Sequence, residues 1–177
     1  MDDATFNLYM AESSPIFQDV LIFLRYTGAR PCEMANATWD DLDLDRAAIT
    51  LWKHKTSGKV SRPRVVILHA EVIRLLIRLR LLGRETTHIF VNAWGQKWQN
   101  SAICQRLKII REKHGIPRAR TLYGLRHAFG RNAIKAGVDL ATLKELMGHT
   151  SVLMTQRYAD MAGQTDHLRK ALERIHG

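Results

Sequence analysis

Between Thr121 and Asp160 the sequence reads TLYGLRHAFGRNAIKAGVDLATLKELMGHTSVLMTQRYAD, and glycines and caps divide it into three helix-length segments. Thr121 can cap a helix running to Ala136 with Gly137 as its stop, and Asp139 opens the next segment, from about Leu140 to Met147, which ends at Gly148. A third helix, from about Ser151, brings Tyr158 round. In the first of these, Tyr123, Arg126 and His127 are spaced i, i+3 and i+4 and so share one face. Polar side chains that can react are thus set inside segments that otherwise read as packed helices. Such a stretch suits a site whose groups must be held in place.

The upstream chain is punctuated in the same way. Ser14 and Pro15 start a helix in which Ile16, Val20, Leu21 and Leu24 recur at helical spacing, and Gly28 ends it. Arg30 follows that stop, and Pro31 opens a short helix reaching Ala37, after which Trp39 and Leu42 pack the chain back. Alternation from Ala48 to Trp52 and from Arg64 to Leu68 predicts two strands joined by a cation-dense hairpin, KHKTSGKVSRP. Glu71 to Leu82 predicts a helix stopped by Gly83, with Arg74, Arg78 and Arg80 as a solvated face. His88 to Val91 reads as a third strand or a loop edge. Asn92 to Asn100 reads as a turn, with Trp94 and Trp98 as packing residues, leading into a helix from Ser101 to His114. A last helix spans about Thr165 to Ile175. The fold class is therefore mainly α with a small antiparallel β-sheet (α+β), in one domain over residues 1–177: a leader at 1–13, a core at 14–160 and a C-terminal helix at 161–177.

Charge narrows the partners. The formal net charge is +10 with a pI near 10.1, an excess that favours polyanions, above all nucleic acid. Cys32 and Cys104 fit no metal or redox spacing and read as buried or half-buried free thiols of a reducing compartment. The acidic start Met1-Asp2-Asp3 is no signal-peptide n-region, and the longest apolar run, Val20 to Leu24, is far short of a membrane span. These readings point to the cytoplasm and away from a membrane partner.

Several chemistries lack their motif. There is no Gly-rich phosphate loop, no acidic cluster suited to magnesium, no histidine pairing at zinc-ligand spacing and no nucleophile elbow. What remains is a set of cations at breaks in secondary structure: Arg30 after a helix stop, Lys55 in the hairpin, Arg126 on a helix face and His149 after a glycine. Cations at element ends can converge on an anion, and phosphodiester DNA is the obvious one.

Four segments carry a resemblance: TGARPCE, HKTSGK, YGLRHAFGRNAIKAGVDL and GHTSVLMTQRYAD. In this order they resemble the two arginine boxes, the β-hairpin lysine and the closing histidine–tyrosine box of the tyrosine recombinases, the phage-integrase and Xer-like family. The resemblance covers nearly the whole chain and implies the catalytic-domain fold of that family. It implies that Tyr158 attacks the scissile phosphate to form a 3′-phosphotyrosyl link, with Arg30 and Arg126 gripping the non-bridging oxygens. It further implies that Lys55 protonates the leaving 5′-oxygen, that His149 donates a hydrogen bond to the phosphate and that Glu33 orients Arg30. A covalent intermediate keeps the phosphodiester's energy, so the family pattern needs no cofactor and no metal. Double-stranded DNA is the implied partner, with a synaptic tetramer in the full-length protein, compatible with an accessory DNA-bending protein and with nucleoid association while bound. Full recombinases of this kind also carry an N-terminal DNA-clamping domain, which is expected to be absent from this chain.

One position departs from the pattern. The second arginine box usually reads His-x-x-Arg, and here its first position is Tyr123. Tyr123 can still offer its hydroxyl to a phosphate, and His127, on the same helix face, is a support residue where the family often has histidine as well. The departure keeps a catalytically impaired or inactive DNA-binding module of the same fold as an alternative. A type IB topoisomerase-like enzyme would share the chemistry, and a basic helical transcription regulator would share only the charge.

Overall fold

The longest apolar helix of the amino-terminal half forms where the sequence predicts it. In a computed structural model, which describes residues 1–52, 63–117, 122–151 and 153–159, Ser14 is extended and Pro15 takes the first position of α2 (Pro15–Thr27). Proline is tolerated there because the first N–H groups of a helix have no intrahelical acceptor. Gly28 ends α2 in the left-handed conformation, φ 61°, with its N–H on the Leu24 carbonyl. Phe17, Val20, Leu21, Phe23 and Leu24 are buried, and α2 packs against the later helices α4 (Ala70–Leu81) and α6 (Leu122–Lys135).

The remaining elements follow in chain order. Residues expected as a leader contain a helix, α1 (Asp3–Ala11), capped by the Asp2 carboxylate, which accepts from the Thr5 N–H at 2.9 Å. Its apolar pattern is weak, and burial of Thr5 and Tyr9, four residues apart, supplies its packing face. After α2 come α3 (Pro31–Asn36) and strands β1 (Leu42–Asp43), β2 (Ala48–Leu51) and β3 (Arg64–Ile67). They form an antiparallel sheet in the order β1-β2-β3, with Leu42 opposite Ile49, and Leu51 opposite Arg64. The third strand is thus Leu42–Asp43. His88 to Val91 is a loop edge held by isolated bridges, His88 to Thr38 and Val91 to Lys97. In β3 the period of two buries Arg64 and Val66 and turns Val65 and Ile67 outward.

Beyond α4 come α5 (Asn100–Lys113), α6, α7 (Leu140–Met147) and α8 (Leu153–Ala159). Two cores result. The larger joins α2, the sheet, α4, α5 and the start of α6, while a smaller one gathers Ile134, Leu143, Met147 and Tyr158 from α6, α7 and α8. No helix among the described residues is long and apolar enough to cross a membrane.

Some local expectations are corrected. Cys32 is half-buried, but Cys104 is exposed on α5. Trp98 is buried against Phe17, with ring centroids 5.4 Å apart, whereas Trp94 is 78% exposed and packs on nothing of consequence to the core. The α4 arginines are exposed, as expected of a solvated face, and each has a contact there: Arg78 pairs with the buried Asp19, Arg80 lies over the Trp39 ring, and Arg74 pairs with Glu71. Lys55, Thr121 and the expected last helix fall outside the described residues.

Gly28 is required twice over. Its positive φ disfavours any side chain, and an added Cβ would lie 2.5 Å from Phe129 Cδ1 on α6. Gly28→Ala is expected to destabilise the domain by about 1–3 kcal/mol, read as a lower urea midpoint at unchanged m-value. A second expectation concerns the start of α7, where the Asp139 carboxylate accepts from the Thr142 hydroxyl at 2.6 Å and the Thr142 N–H at 2.9 Å. These bonds hold its pKa below the ordinary 3.8. A depressed folded pKa contributes stability that is present above the unfolded value and lost as pH falls through the folded one. Asp139→Ala should therefore lower Tm at neutral pH, and the gap to wild type should close as the pH is taken below 3.8.

Candidate active site

The site is built around the carboxyl end of α7. A helix leaves its last four carbonyls without intrahelical donors, and its dipole makes that end partially negative. Here Gly148, at φ 61° and ψ 46°, turns the chain so that its N–H reaches Glu145 O and the His149 N–H reaches Lys144 O, both at 3.0 Å. Arginines from three other elements take the carbonyls of Leu146, Met147 and Gly148 and share that of Glu145 with the turn. Arg64 of β3 donates to Leu146 O at 2.6 Å and to Glu145 O at 3.1 Å. Arg126 of α6 donates to Met147 O at 2.6 Å, and Arg30, just before α3, donates to Gly148 O at 2.9 Å.

Each guanidinium is fixed by a second contact. Arg126, 6% exposed, also donates to Gly28 O at 2.6 Å, so the stop of α2 and the end of α7 are tied to one side chain. Arg30 donates to Glu33 Oε1 at 2.6 Å, and Glu33 Oε2 accepts from the Arg30 backbone N–H at 2.8 Å. Glu33 is buried and serves Arg64 as well, whose Nε lies 3.7 Å from Oε2. The expected support of Arg30 by Glu33 is therefore present as a contact, and it extends to a second arginine.

Three guanidiniums against one carboxylate give this cluster a formal charge of +2. Burial is the first cause that lowers the Arg126 pKa, to about 10, followed by repulsion from Arg30, while Glu33 and Tyr158 act in the opposite sense. Arg64 is lowered too, again first by burial. Arg126 stays protonated at neutral pH. A guanidinium carries five N–H donors, and the bonds of Arg30 and Arg126 to protein acceptors engage only part of each fork. A buried, net-positive cluster with donors to spare is suited to an oxyanion.

Tyr158 joins the cluster from α8. It is 2% exposed and lies on Gly130 of α6, where a Cβ would be 2.8 Å from its Cε1 and Cζ. The His149 ring stacks on it with centroids 6.4 Å apart and planes 6° from parallel, and His149 Nδ1 is 2.8 Å from Thr155 Oγ1. The Tyr158 hydroxyl is 3.1 Å from His127 Nδ1. Arg30, Arg126, His149 and Tyr158, with Glu33 and His127, are thus brought together from residues 30 to 158. Tyr123 is 57% exposed in the first turn of α6.

Sequence reasoning missed Arg64. It reads as the first residue of a strand, and the signal was the strand's own alternation: Arg64 is in phase with Val66 and Leu68, both buried, so it had to point inward. An inward arginine needs acceptors, and the end of α7 supplies them.

Residues 9–165 match the sequence model of the phage integrase family. The chain belongs to that family. Among its relatives, the tyrosine recombinase XerD of Mycobacterium tuberculosis is 35% identical over 144 residues, 78% of this chain and 46% of that protein. The XerD of Bifidobacterium longum is 30% identical over 158 residues, 82% of this chain and 50% of its own. This member spans about half the length of the curated relatives it matches. Among solved structures, XerA recombinase superposes with a TM-score of 0.75 at 24% identity, covering 100% of this chain and 63% of that one. The Tn1549 transposon integrase in complex with circular intermediate DNA gives 0.78 at 20% identity, covering 99% and 66%. The integrase fold is shared with both.

The +2 cluster generates a test that needs no DNA. Inorganic phosphate at about ten times its Kd should stabilise the domain by about 1.4 kcal/mol beyond chloride of equal ionic strength. That increment, read by thermal denaturation, should vanish in Arg30→Ala and Arg126→Ala.

Proposed function

We propose that this chain is the catalytic domain of a site-specific DNA recombinase or integrase that cuts and rejoins strands through Tyr158. The observation that carries the reading is the convergence of Arg30, Arg126, His149 and Tyr158 at the end of α7. In this reading Tyr158 Oη attacks the scissile phosphorus, a 3′-phosphotyrosyl bond forms and the bond to the 5′-oxygen breaks. Arg30 and Arg126 hold the non-bridging oxygens as negative charge builds in the transition state, Glu33 orients Arg30, and His149 donates a further hydrogen bond. Lys55 protonates the departing 5′-oxygen, a task for an ammonium because guanidinium does not give up its proton at working pH. Because the link conserves the phosphodiester's energy, rejoining by a second 5′-hydroxyl needs no added energy source. In this scheme Tyr123, exposed in the first turn of α6, lends its hydroxyl to a phosphate.

Partners follow from the same reading. Double-stranded DNA suits the +10 charge, and solved relatives include an XerH recombinase bound to a difH substrate and a lambda integrase dimer bound to a core site. The active assembly of the full-length protein is a synaptic tetramer on DNA, with a DNA-bending protein as an accessory, and the compartment is the cytoplasm. Within the chain, this reading takes residues 14–160 as the catalytic core.

A second reading is favoured by one position. Tyr123 in place of the box histidine suits a DNA-binding module that has lost cleavage. A nicked suicide duplex, carrying a site enriched from random DNA by binding to this chain, separates the two on a denaturing gel. The recombinase reading expects a covalent adduct that is lost in Tyr158→Phe and slowed about 100- to 1000-fold in Arg30→Ala. Retained binding with no adduct from wild type favours the module.

A further inference from the structure

A phenol with a pKa of about 10 is almost wholly protonated at neutral pH, so attack by Tyr158 requires a group to take its proton. Two imidazoles adjoin the ring, and they meet it differently. His149 lies parallel to the phenol ring and presents its face, with Nδ1 engaged by Thr155. His127 meets the hydroxyl itself: Nδ1 is 3.1 Å from Tyr158 Oη, and the ring planes are inclined at 54°.

The approach is fixed by α6. His127 and Gly130 are three residues apart on that helix, and the Tyr158 ring lies across Gly130 at Cζ, the carbon that bears the hydroxyl. A side chain at 130 would hold the ring off; its absence lets the hydroxyl settle against His127. Arg126, the residue before His127, is buried and tied to both Gly28 and Met147, so the turn that carries the imidazole is anchored on both sides. Tyr123, where the family's box has a histidine, is an exposed phenol a turn earlier.

We propose that His127 takes the Tyr158 proton during cleavage and returns it on rejoining, an inference that rests on the recombinase reading above. As the Oη–P bond forms and the P–O5′ bond breaks, the phenol proton passes to Nδ1 of a neutral ring protonated on Nε2. The departing 5′-oxygen takes its proton from Lys55. Rejoining reverses each transfer: the incoming 5′-hydroxyl gives its proton to Lys55, the Oη–P bond breaks, and imidazolium Nδ1–H reprotonates the phenol. The bridge from a deficient box position to an active nucleophile is then a histidine four residues along the same helix.

Two measurements test this on the 177-residue chain. Nitrogen-15 NMR of the His127 ring in the free protein should show Nδ1 as the acceptor nitrogen with the proton on Nε2. Tyr158→Phe should release that preference. A ring protonated on Nδ1 in the wild type overturns the proposal without DNA. In single-turnover cleavage of the suicide duplex, His127→Ala should slow adduct formation about 100- to 10,000-fold with DNA binding retained. Free imidazole should restore part of the rate, which a merely misfolded variant would not allow. The conservative His127→Gln should melt like wild type and remain slow. Adduct formation by His127→Gln at the wild-type rate overturns the proposal and leaves the recombinase reading standing. A wild-type chain that binds the duplex but forms no adduct removes both.

Discussion

The end of α7 is where this structure would fail first. Four consecutive carbonyls, from Glu145 to Gly148, are met by guanidiniums from β3, α6 and the start of α3. Backbone acceptors buried without donors cost about 1–3 kcal/mol each, so these arginines are structural requirements before they are anything else. The dipole of α7 adds an electrostatic reason for cations at its carboxyl end. The same contacts explain how residues more than a hundred positions apart come to share a site. Arg30 and Arg126 are placed where a helix needs donors, and an anion bound beside them would meet groups that are already oriented.

That arrangement makes Gly148 a hinge of geometry as well as a helix stop. Its left-handed turn sends the chain from α7 to His149, and a Cβ there would overlap the Arg64 side chain. Arg64 in turn is the first residue of β3. The sheet, the end of α7 and the α3 turn are therefore linked through one buried side chain and one carboxylate, Glu33. Truncating Glu33 would leave two guanidiniums facing each other with their nearest counter-charge gone.

Helix bounds were legible because the chain announces them. Pro15, Gly28, Pro31, Asp139 and Gly148 each act locally, by a backbone constraint or a side-chain cap, and α2 and α7 begin and end, and α3 begins, where those residues require. Elements fixed by packing were harder to read. Helix α1 has little apolar periodicity, and the two-residue β1 exists only because β2 pairs with it. The site divides along the same line. Arg30 and His149 sit beside helix stops and Arg126 and Tyr158 on helices, and the structure brings the four together. Arg64 has no motif, and the pairing of His127 with the Tyr158 hydroxyl depends on how α8 crosses α6 at Gly130, which spacing along one helix does not encode.

The smaller core bears on how Tyr158 is held. Tyr158 packs with Ile134, Leu143 and Met147, so the ring is held by apolar contacts while its hydroxyl faces His127. A packed aromatic loses little freedom on ordering, which suits a group that must be aimed before it reacts. Arg126 and Tyr158 are coupled through space as well as through packing, since the tyrosine raises the Arg126 pKa against the burial that lowers it. In the proposed cleavage a phosphate would take up the donors of Arg126 and Arg30, and the imidazole of His127 already meets the hydroxyl that would lose its proton.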